Sequence, residues 1–576
     1  DRPPTGRAAT WTKREGLLAL ALAACVFAVY GPALSGGFVW LDHFEIVEGG
    51  MIVDRWSDVP RRFIEPGNYA GYHRPLYDLM HSFDRAVWGL NPFGFHLSSV
   101  TLHALNAVLV FLLLARLGME RKLRFGIAAL WAVHPVNAVV AGLIHAKADL
   151  LVTFFALVTA SLLDRGVRSE SPGRRGLFIA LGMLAWAAAL MSKETALVLP
   201  LLLGLALPWK RMEDADRRRW LGLTLGLAAS ALVLLFARRG GIVGLEAEAS
   251  LFERLATFGT VLVGYVVRLF WPMETSLSDA TVAWSALHPL QRGGYVAALL
   301  LLGFALLQLF QRARSSRPWI LLFLVALAPV SQVIPLLHFR ADRFLYLPSL
   351  GWIGLLFASA VPLLLGRGRE EESPAKGALG WLPLALALTL VPVTWSRIAT
   401  FRTDETLFGQ ESPITSTYRE GLAAYAVALD REGRFEEATP YHARALVRDP
   451  RIFAYAEDST LVVNFTRNLL ARRRPDQVLQ LVEGFLGSEP VLRDRERDVL
   501  RYNQGVALHQ LGHYEEALPL LEAFAQKTDD ASAWFLTGNA ARESGNRERA
   551  VSAWTRYLER VPHAPERASI QEYLTR

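Results

Sequence analysis

Asp42, Arg74, Lys147, Asp149, Lys193, Glu194, Asp342 and Arg343 all sit at the ends or edges of long apolar runs. Ionisable groups at a bilayer boundary are costly to desolvate, so they are kept where they work and where they find partners. Carboxylates interleaved with cations suit one kind of chemistry. A carboxylate takes a proton from a hydroxyl, and the cations receive a leaving phosphate through charge-assisted donors. Asp42 stands in Phe38-Val39-Trp40-Leu41-Asp42-His43-Phe44-Glu45, just past the first apolar run. Partial burial there raises a carboxyl pKa toward the working range of a base. We read Asp42 as the general base, with helix capping as the structural alternative, and His43 and Glu45 as surface or supporting residues beside it. Arg74 precedes Pro75, which disfavours helix and holds Arg74 in an extended turn. His134 opens His134-Pro135-Val136-Asn137, and His145, Lys147 and Asp149 follow on the return. Ser192-Lys193-Glu194-Thr195 ends another run, and Arg340-Ala341-Asp342-Arg343-Phe344-Leu345-Tyr346 precedes one. Singly, each Lys or Arg reads as an interfacial snorkel; jointly, with acids between them, they read as a site.

Those residues need a scaffold that crosses a bilayer. The chain has 576 residues, 52% of them hydrophobic, and the apolar residues crowd into the part before about residue 394. There they form runs of about 17–22 residues, the length that spans a membrane. Beyond residue 400 the chain reads as ordinary soluble helix. The spans expected are 17–35, 95–116, 124–142, 149–164, 176–191, 194–208, 220–237, 293–311, 318–336, 345–366 and 378–394, about eleven in all. Short loops carry Arg121, Lys122 and Arg124; Arg165, Arg168, Arg174 and Arg175; Lys210, Arg211 and Arg217 to Arg219; Arg312, Arg314 and Arg317; and Arg367, Arg369 and Lys376. Eleven crossings put all of these loops on the side of the N-terminus, which the positive-inside bias assigns to the cytoplasm. The stretch 256–272 is then a re-entrant or interfacial helix, and Arg238 and Arg239 fall on the outer side against the trend. The first run follows Lys13 and Arg14 and reads as a retained anchor. The net charge of +7 comes from these loops, not from a phosphate-binding stripe, so no nucleic-acid partner is expected. Cys25 is the lone cysteine, which leaves no intrachain disulfide and no compartment signal.

The C-terminal part repeats itself. Gly505, Gly512 and Ala517 recur as Gly538, Gly545 and Ala550, with Pro562 closing the copy. Ala426, Gly433, Ala438, Ala445 and Pro450 form an earlier copy, and 461–490 a degenerate one. A period of about 33 residues fits tetratricopeptide helix–turn–helix units, which stack into a solenoid with a concave, peptide-binding face. Asn464-Phe465-Thr466 matches a glycosylation sequon and carries no weight in this reading. Asp214-Ala215-Asp216 resembles the DxD of soluble sugar transferases but lies in a charged loop, where it reads as solvated charge. There is no phosphate-cradling glycine loop.

Trp88-Gly89-Leu90-Asn91-Pro92-Phe93-Gly94-Phe95-His96, Arg74-Pro75-Leu76, His134-Pro135-Val136, Ser192-Lys193-Glu194-Thr195-Ala196 and Arg343-Phe344-Leu345-Tyr346-Leu347-Pro348-Ser349 together resemble the transmembrane and tetratricopeptide repeat-containing O-mannosyltransferases and their bacterial relatives. The resemblance implies an all-α fold: a polytopic GT-C glycosyltransferase domain over 1–396, with a first outer loop at 36–93, followed by a tetratricopeptide repeat domain over 397–576. It implies a polyprenyl-phosphate sugar as donor and a Ser or Thr hydroxyl of a protein as acceptor, the acceptor being held by the repeats. By the same resemblance Asp42 is the base or acceptor-orienting carboxylate. Arg74, Lys193 and Arg343 suit the donor phosphate, and Glu194, Asp342 and Tyr346 orient those cations or the sugar. His134, Lys147 and Asp149 complete the expected binding residues. The chain departs from the family pattern at Leu41, where paired acids are usual, at Val139, and at Lys147, where an Arg is usual. No cofactor is expected, and a weak divalent-metal site at Asp42 and Glu45 stays open. The Arg-, Leu- and Ala-rich composition points to a bacterium. That implies an inner-membrane protein, an undecaprenyl phosphate sugar and repeats in the periplasm. The rival readings are a GT-C enzyme acting on lipid or polysaccharide, and a non-enzymatic membrane scaffold.

Overall fold

The computed structural model describes residues 12–53, 55–65, 73–206, 214–237, 249–273, 280–336, 338–364, 378–411, 416–449, 451–453, 458–488, 490, 492 and 494–575. Tyr72, Arg238, Arg239, Pro450 and the loop cations Lys210, Arg211, Arg367, Arg369 and Lys376 lie outside the described residues. The fold is all-α. Among the described residues the only strands are Thr281–Val282 and Ile452–Phe453, an antiparallel pair. The chain divides into two compact units, Asp1–Glu411 with Arg451–Phe453, and Ser412–Pro450 with Ala454–Arg576.

Among the described residues of the first unit, seven helices are long and apolar enough to cross a membrane: Lys13–Ser35, Pro92–Arg116, Ile144–Val167, Pro172–Ser192, Pro289–Arg312, Asp342–Leu364 and Leu379–Thr400. They fit a membrane protein. Their starts follow from sequence. Thr12 Oγ1 accepts the Glu15 N–H at 3.3 Å, and Asn91 Oδ1 accepts the Phe93 N–H at 3.1 Å. Pro92, Pro172 and Pro289 stand in the first turn, where a missing N–H leaves nothing unsatisfied. The bent pair Arg121–Val133 and Pro135–Gly142, whose axes differ by 52°, is together long and apolar enough for a broken span or a re-entrant loop. Pro135 cannot continue the helix before it, and His134 turns to cap the next turn instead, its Nδ1 accepting the Val136 N–H at 3.4 Å. Pro329 has a similar effect in the 318–336 run, where Arg317–Leu327 gives way to a 3-10 turn at Ala328–Val330. The 194–208 run forms the shorter apolar helix Glu194–Gly204. The 220–237 and 256–272 runs lie within Asp214–Ala237 and Leu251–Phe270. Asp214 and Asp216 pair with Arg217 and Arg219, one turn on, at 3.1 and 2.9 Å, as solvated charges would.

A buried polar network ties these helices together. His103 Nε2 donates to the Ala132 carbonyl at 2.9 Å, which leaves Nδ1 as an acceptor for the Tyr346 hydroxyl at 2.7 Å. The same Tyr346 oxygen accepts from Asn106 Nδ2 at 3.2 Å, and Trp131 Nε1 donates to the Tyr346 carbonyl at 2.8 Å. Buried polar networks of this kind hold register in an apolar core.

The second unit is a run of helix pairs: Arg419–Arg431 with Phe435–Ala445, Asp458–Ala471 with Pro475–Gly487, Asp494–Leu511 with Tyr514–Thr528, and Ala531–Glu543 with Arg547–Arg560. Gly433, Gly512 and Gly545 take left-handed φ values of 76°, 82° and 77° two residues before the second helix of their pairs. Arg473 holds the equivalent turn of the second pair at φ 52°, so the degenerate copy keeps the geometry without the glycine. Thr466, in the sequon, is buried within Asp458–Ala471 and accepts from Asn503 Nδ2 at 2.8 Å. A Cβ at Gly538 would lie 2.3 Å from Trp554 Cδ1. Gly538→Ala is therefore expected to destabilise the chain by about 1–3 kcal/mol, read as a lower midpoint in urea unfolding; an unchanged midpoint would show that Trp554 can yield.

Candidate functional site

The turn that presents Asp42 is closed twice. The Asp42 N–H donates to the Val39 carbonyl, and the Val39 N–H donates to Asp42 Oδ2, both at 3.0 Å. Trp40, between them, has a φ of 53°, a left-handed conformation uncommon for a bulky residue and often found where function demands it. Asp42 precedes the short helical turn His43–Val47, yet its side chain makes no cap bond to that turn. The capping alternative thus falls away. Asp42 is fully buried; among the described residues its Oδ1 makes no hydrogen bond of good geometry, although the His145 backbone N–H lies near enough to favour the ionised carboxylate. His145 Nδ1 stands 3.8 Å from that oxygen, and both His145 ring nitrogens are likewise without a hydrogen-bond partner among the described residues. Burial pushes the Asp42 carboxyl up to about 7, with the Asp404 charge adding to the effect.

Glu45 is not a surface residue. It is 5% exposed and accepts the Tyr77 hydroxyl at 2.5 Å. Burial, reinforced by the charge of Asp42, pushes its carboxyl up to about 8. His43 is part-buried, its Nε2 2.7 Å from Asp404 Oδ2. Two buried carboxyls with raised proton affinity, one of them with an open oxygen, thus lie together.

Most of the cations come with a carboxylate. Arg74 grips Glu194 with two bonds, Nε to Oε2 at 2.9 Å and Nη2 to Oε1 at 2.5 Å. Lys193 Nζ lies 2.6 Å from Asp149 Oδ1. Arg343 differs: Nη2 meets His338 Nδ1 at 3.3 Å, and Nη1 has no hydrogen-bond partner among the described residues. Lys193 lies within electrostatic reach of Arg74, Glu194 and Arg343, and His145 within reach of Arg343 and Lys193. Asp42, Glu45, Arg74, Asp149, Lys193, Glu194 and Arg343 therefore belong to one cluster.

Other residues expected at the site are occupied elsewhere. Lys147 is wholly buried and bonds Asp84 Oδ2 at 2.5 Å; it acts on Asp42 through its field. His134 uses both ring nitrogens on backbone, Nε2 meeting the Leu269 carbonyl at 3.2 Å. Tyr346 is held in the core network. Asp342 receives Arg268 Nη1 at 2.5 Å. The structure adds Tyr77, Asp84, His338, Arg268 and Asp404, and gives His145 a place beside Asp42. Tyr77 lies one turn after Arg74 on Pro75–Trp88 and could have been read with it; Asp404 has no local signal. Among the described residues no group of three or more His, Cys, Asp or Glu is placed to hold a metal ion.

No protein-family model matches the chain. Similarity does appear to the protein O-mannosyl-transferase Tmtc1 of Drosophila melanogaster, 31% identical over 194 residues. The human protein O-mannosyl-transferase TMTC1 is 29% identical over 213 residues, as is that of Mus musculus. The matches cover 32–34% of this chain and 22–24% of those proteins, so the chain spans about a quarter of the length of the curated relatives it matches. Over that third of its own length the chain is similar to the TMTC1 protein O-mannosyl-transferases, the group its ordered motifs resemble.

Proposed function

We propose that this chain is a membrane glycosyltransferase that moves a sugar, a hexose such as mannose, from a polyprenyl-phosphate donor to a Ser or Thr hydroxyl of a protein. The observation that carries the proposal is the buried Asp42 carboxylate, one oxygen open, set in a cluster with Arg74, Lys193 and Arg343. Asp42 takes the hydroxyl proton as the acceptor oxygen bonds to the anomeric carbon. The bond from that carbon to the donor phosphate breaks, and the phosphate leaves with the electron pair. One in-line attack inverts the anomeric centre. Arg343, which has no carboxylate partner among the described residues, receives the departing charge; Arg74 and Lys193 are held in place for it by Glu194 and Asp149. The similarity to protein O-mannosyl-transferases supports a protein acceptor. We read the helix pairs of the second unit as tetratricopeptide repeats that hold the acceptor. In the same reading the N-terminus is cytoplasmic, the chain sits in a bacterial inner membrane, and the repeats are periplasmic.

Mass spectrometry of the chain purified from native membranes tests this. A bound polyprenyl phosphohexose is expected. Arg343→Ala should weaken its retention by about 1.5–3 kcal/mol, the range for a hydrogen bond to a charged group. Bulk phospholipid alone, with a peptide held by the repeats, would favour a scaffold.

A further inference from the structure

The geometry points to Asp404 as a positioning residue of the Asp42 site, holding the Trp40 turn through one backbone and one side-chain bond. This inference rests on Asp42 being the reactive carboxylate.

Asp404 lies 364 positions beyond Trp40 and begins the helix Asp404–Glu411. Its Oδ1 accepts the Trp40 N–H at 2.6 Å, and its Oδ2 meets His43 Nε2 at 2.7 Å. One carboxylate thereby bridges the residues on either side of Leu41-Asp42. The Trp40 N–H belongs to the residue with the left-handed backbone, and such a conformation persists only where its surroundings over-determine it. The same segment ties down the approach to the turn, since the Gly37 N–H donates to the Arg402 carbonyl at 2.9 Å. Phe408, one turn along, makes an edge contact with the Trp40 ring at 6.2 Å, and His145 and His338 make edge contacts with the same ring at 4.7 and 6.2 Å. The turn that carries Asp42 thus touches both the Asp404–Glu411 helix and the histidines of the site. Asp404 is 12% exposed at its side chain, so its bonds are poorly contested by water.

The carboxylate does a second thing. The charged and titratable groups facing Asp42 are Glu45 and Tyr77, His145, Lys147 and Asp404. Lys147 favours ionised Asp42 and Asp404 disfavours it. Asp404 therefore both fixes where Asp42 points and keeps its proton affinity up.

Two variants separate these effects. Asp404→Asn can still accept the Trp40 N–H and donate to a neutral His43, but it has lost its charge. Asp404→Ala loses both bonds. Protonated Asp42 can be trapped with a hydrophobic carbodiimide and quantified by peptide mass spectrometry across pH, with no sugar donor present. In the wild-type chain the labelling midpoint is expected near pH 7. In Asp404→Asn it moves to lower pH, because removing a like charge eases ionisation. Asp404→Ala should lower kcat for transfer roughly 100-fold through misplacement of the base, with donor KM nearly unchanged. An unmoved labelling midpoint in Asp404→Asn together with wild-type kcat in Asp404→Ala overturns the inference. A shifted midpoint in a chain that transfers no sugar keeps Asp404 as a positioning residue and removes the transferase reading instead.

Discussion

Asp42→Asn is expected to lower sugar transfer by about 10²- to 10⁴-fold, the range that a positioned general base contributes. The substitution is nearly isosteric. An Asn Oδ1 can keep the bond from the Val39 N–H that closes the turn, so the loop should hold its shape. The amide cannot take a proton, and the open Oδ1 that faces His145 is the atom whose basicity is lost. The sign of the pH dependence follows. Burial raises the Asp42 carboxyl to about 7, and only the ionised form can act as a base. Wild-type kcat/KM should fall tenfold per unit below that value and level off above it. The check is a transfer assay with a polyprenyl phosphosugar between about pH 5 and 9. Asp42→Asn at full rate, or a wild-type profile flat through pH 7, would remove Asp42 from the base role.

Much of this site is visible in the sequence because charge is expensive in an apolar run. Asp42, Arg74, Lys193 and Arg343 announce themselves by position alone, and the structure brings all of them into one cluster. Which carboxylate each cation meets is a tertiary fact. Lys147 and Asp149 are neighbours in sequence, yet one turns to Asp84 and the other to Lys193. Glu45 resembles a loop acid until Tyr77 closes over it, and no local pattern connects Asp404 to Trp40. Tyr346 and His134 are polar and lie beside motif residues, but the helix core and a proline break claim their hydrogen bonds. The same holds for the scaffold. Apolar length locates the runs, whereas Pro135 and Pro329 decide that two of them are interrupted. The turns between paired helices are the most legible, because a left-handed φ at Gly433, Gly512 and Gly545 is a local requirement that sequence must meet.

Lys147→Ala is expected to destabilise the chain by about 3–5 kcal/mol, the cost of leaving a buried charge without its partner. Lys147 is fully buried, Asp84 is 1% exposed, and the bond between them is 2.5 Å. Phe95 offers its ring face to the ammonium at 5.5 Å, so the lysine is enclosed on more than one side. In the single variant Ser98, whose hydroxyl donates to Asp84 Oδ2 at 2.7 Å, would be the one remaining partner of the carboxylate among the described residues. Replacing both partners, Lys147→Met with Asp84→Leu, should recover most of the loss, because a buried ion pair exchanged for apolar groups of similar volume is often close to neutral. Thermal unfolding of the single and double variants in one detergent is the measurement. If Lys147→Ala melts with the wild-type chain while donor retention collapses, Lys147 contacts the donor and the pair is not structural. The double variant also separates stability from chemistry. The Lys147 charge favours ionised Asp42, so removing it raises the Asp42 pKa further. A chain restored in stability should therefore still have its acid limb displaced to higher pH, opposite to the shift expected for Asp404→Asn. Opposite displacements from two charges of opposite sign near one carboxylate would identify Asp42 as the group that titrates.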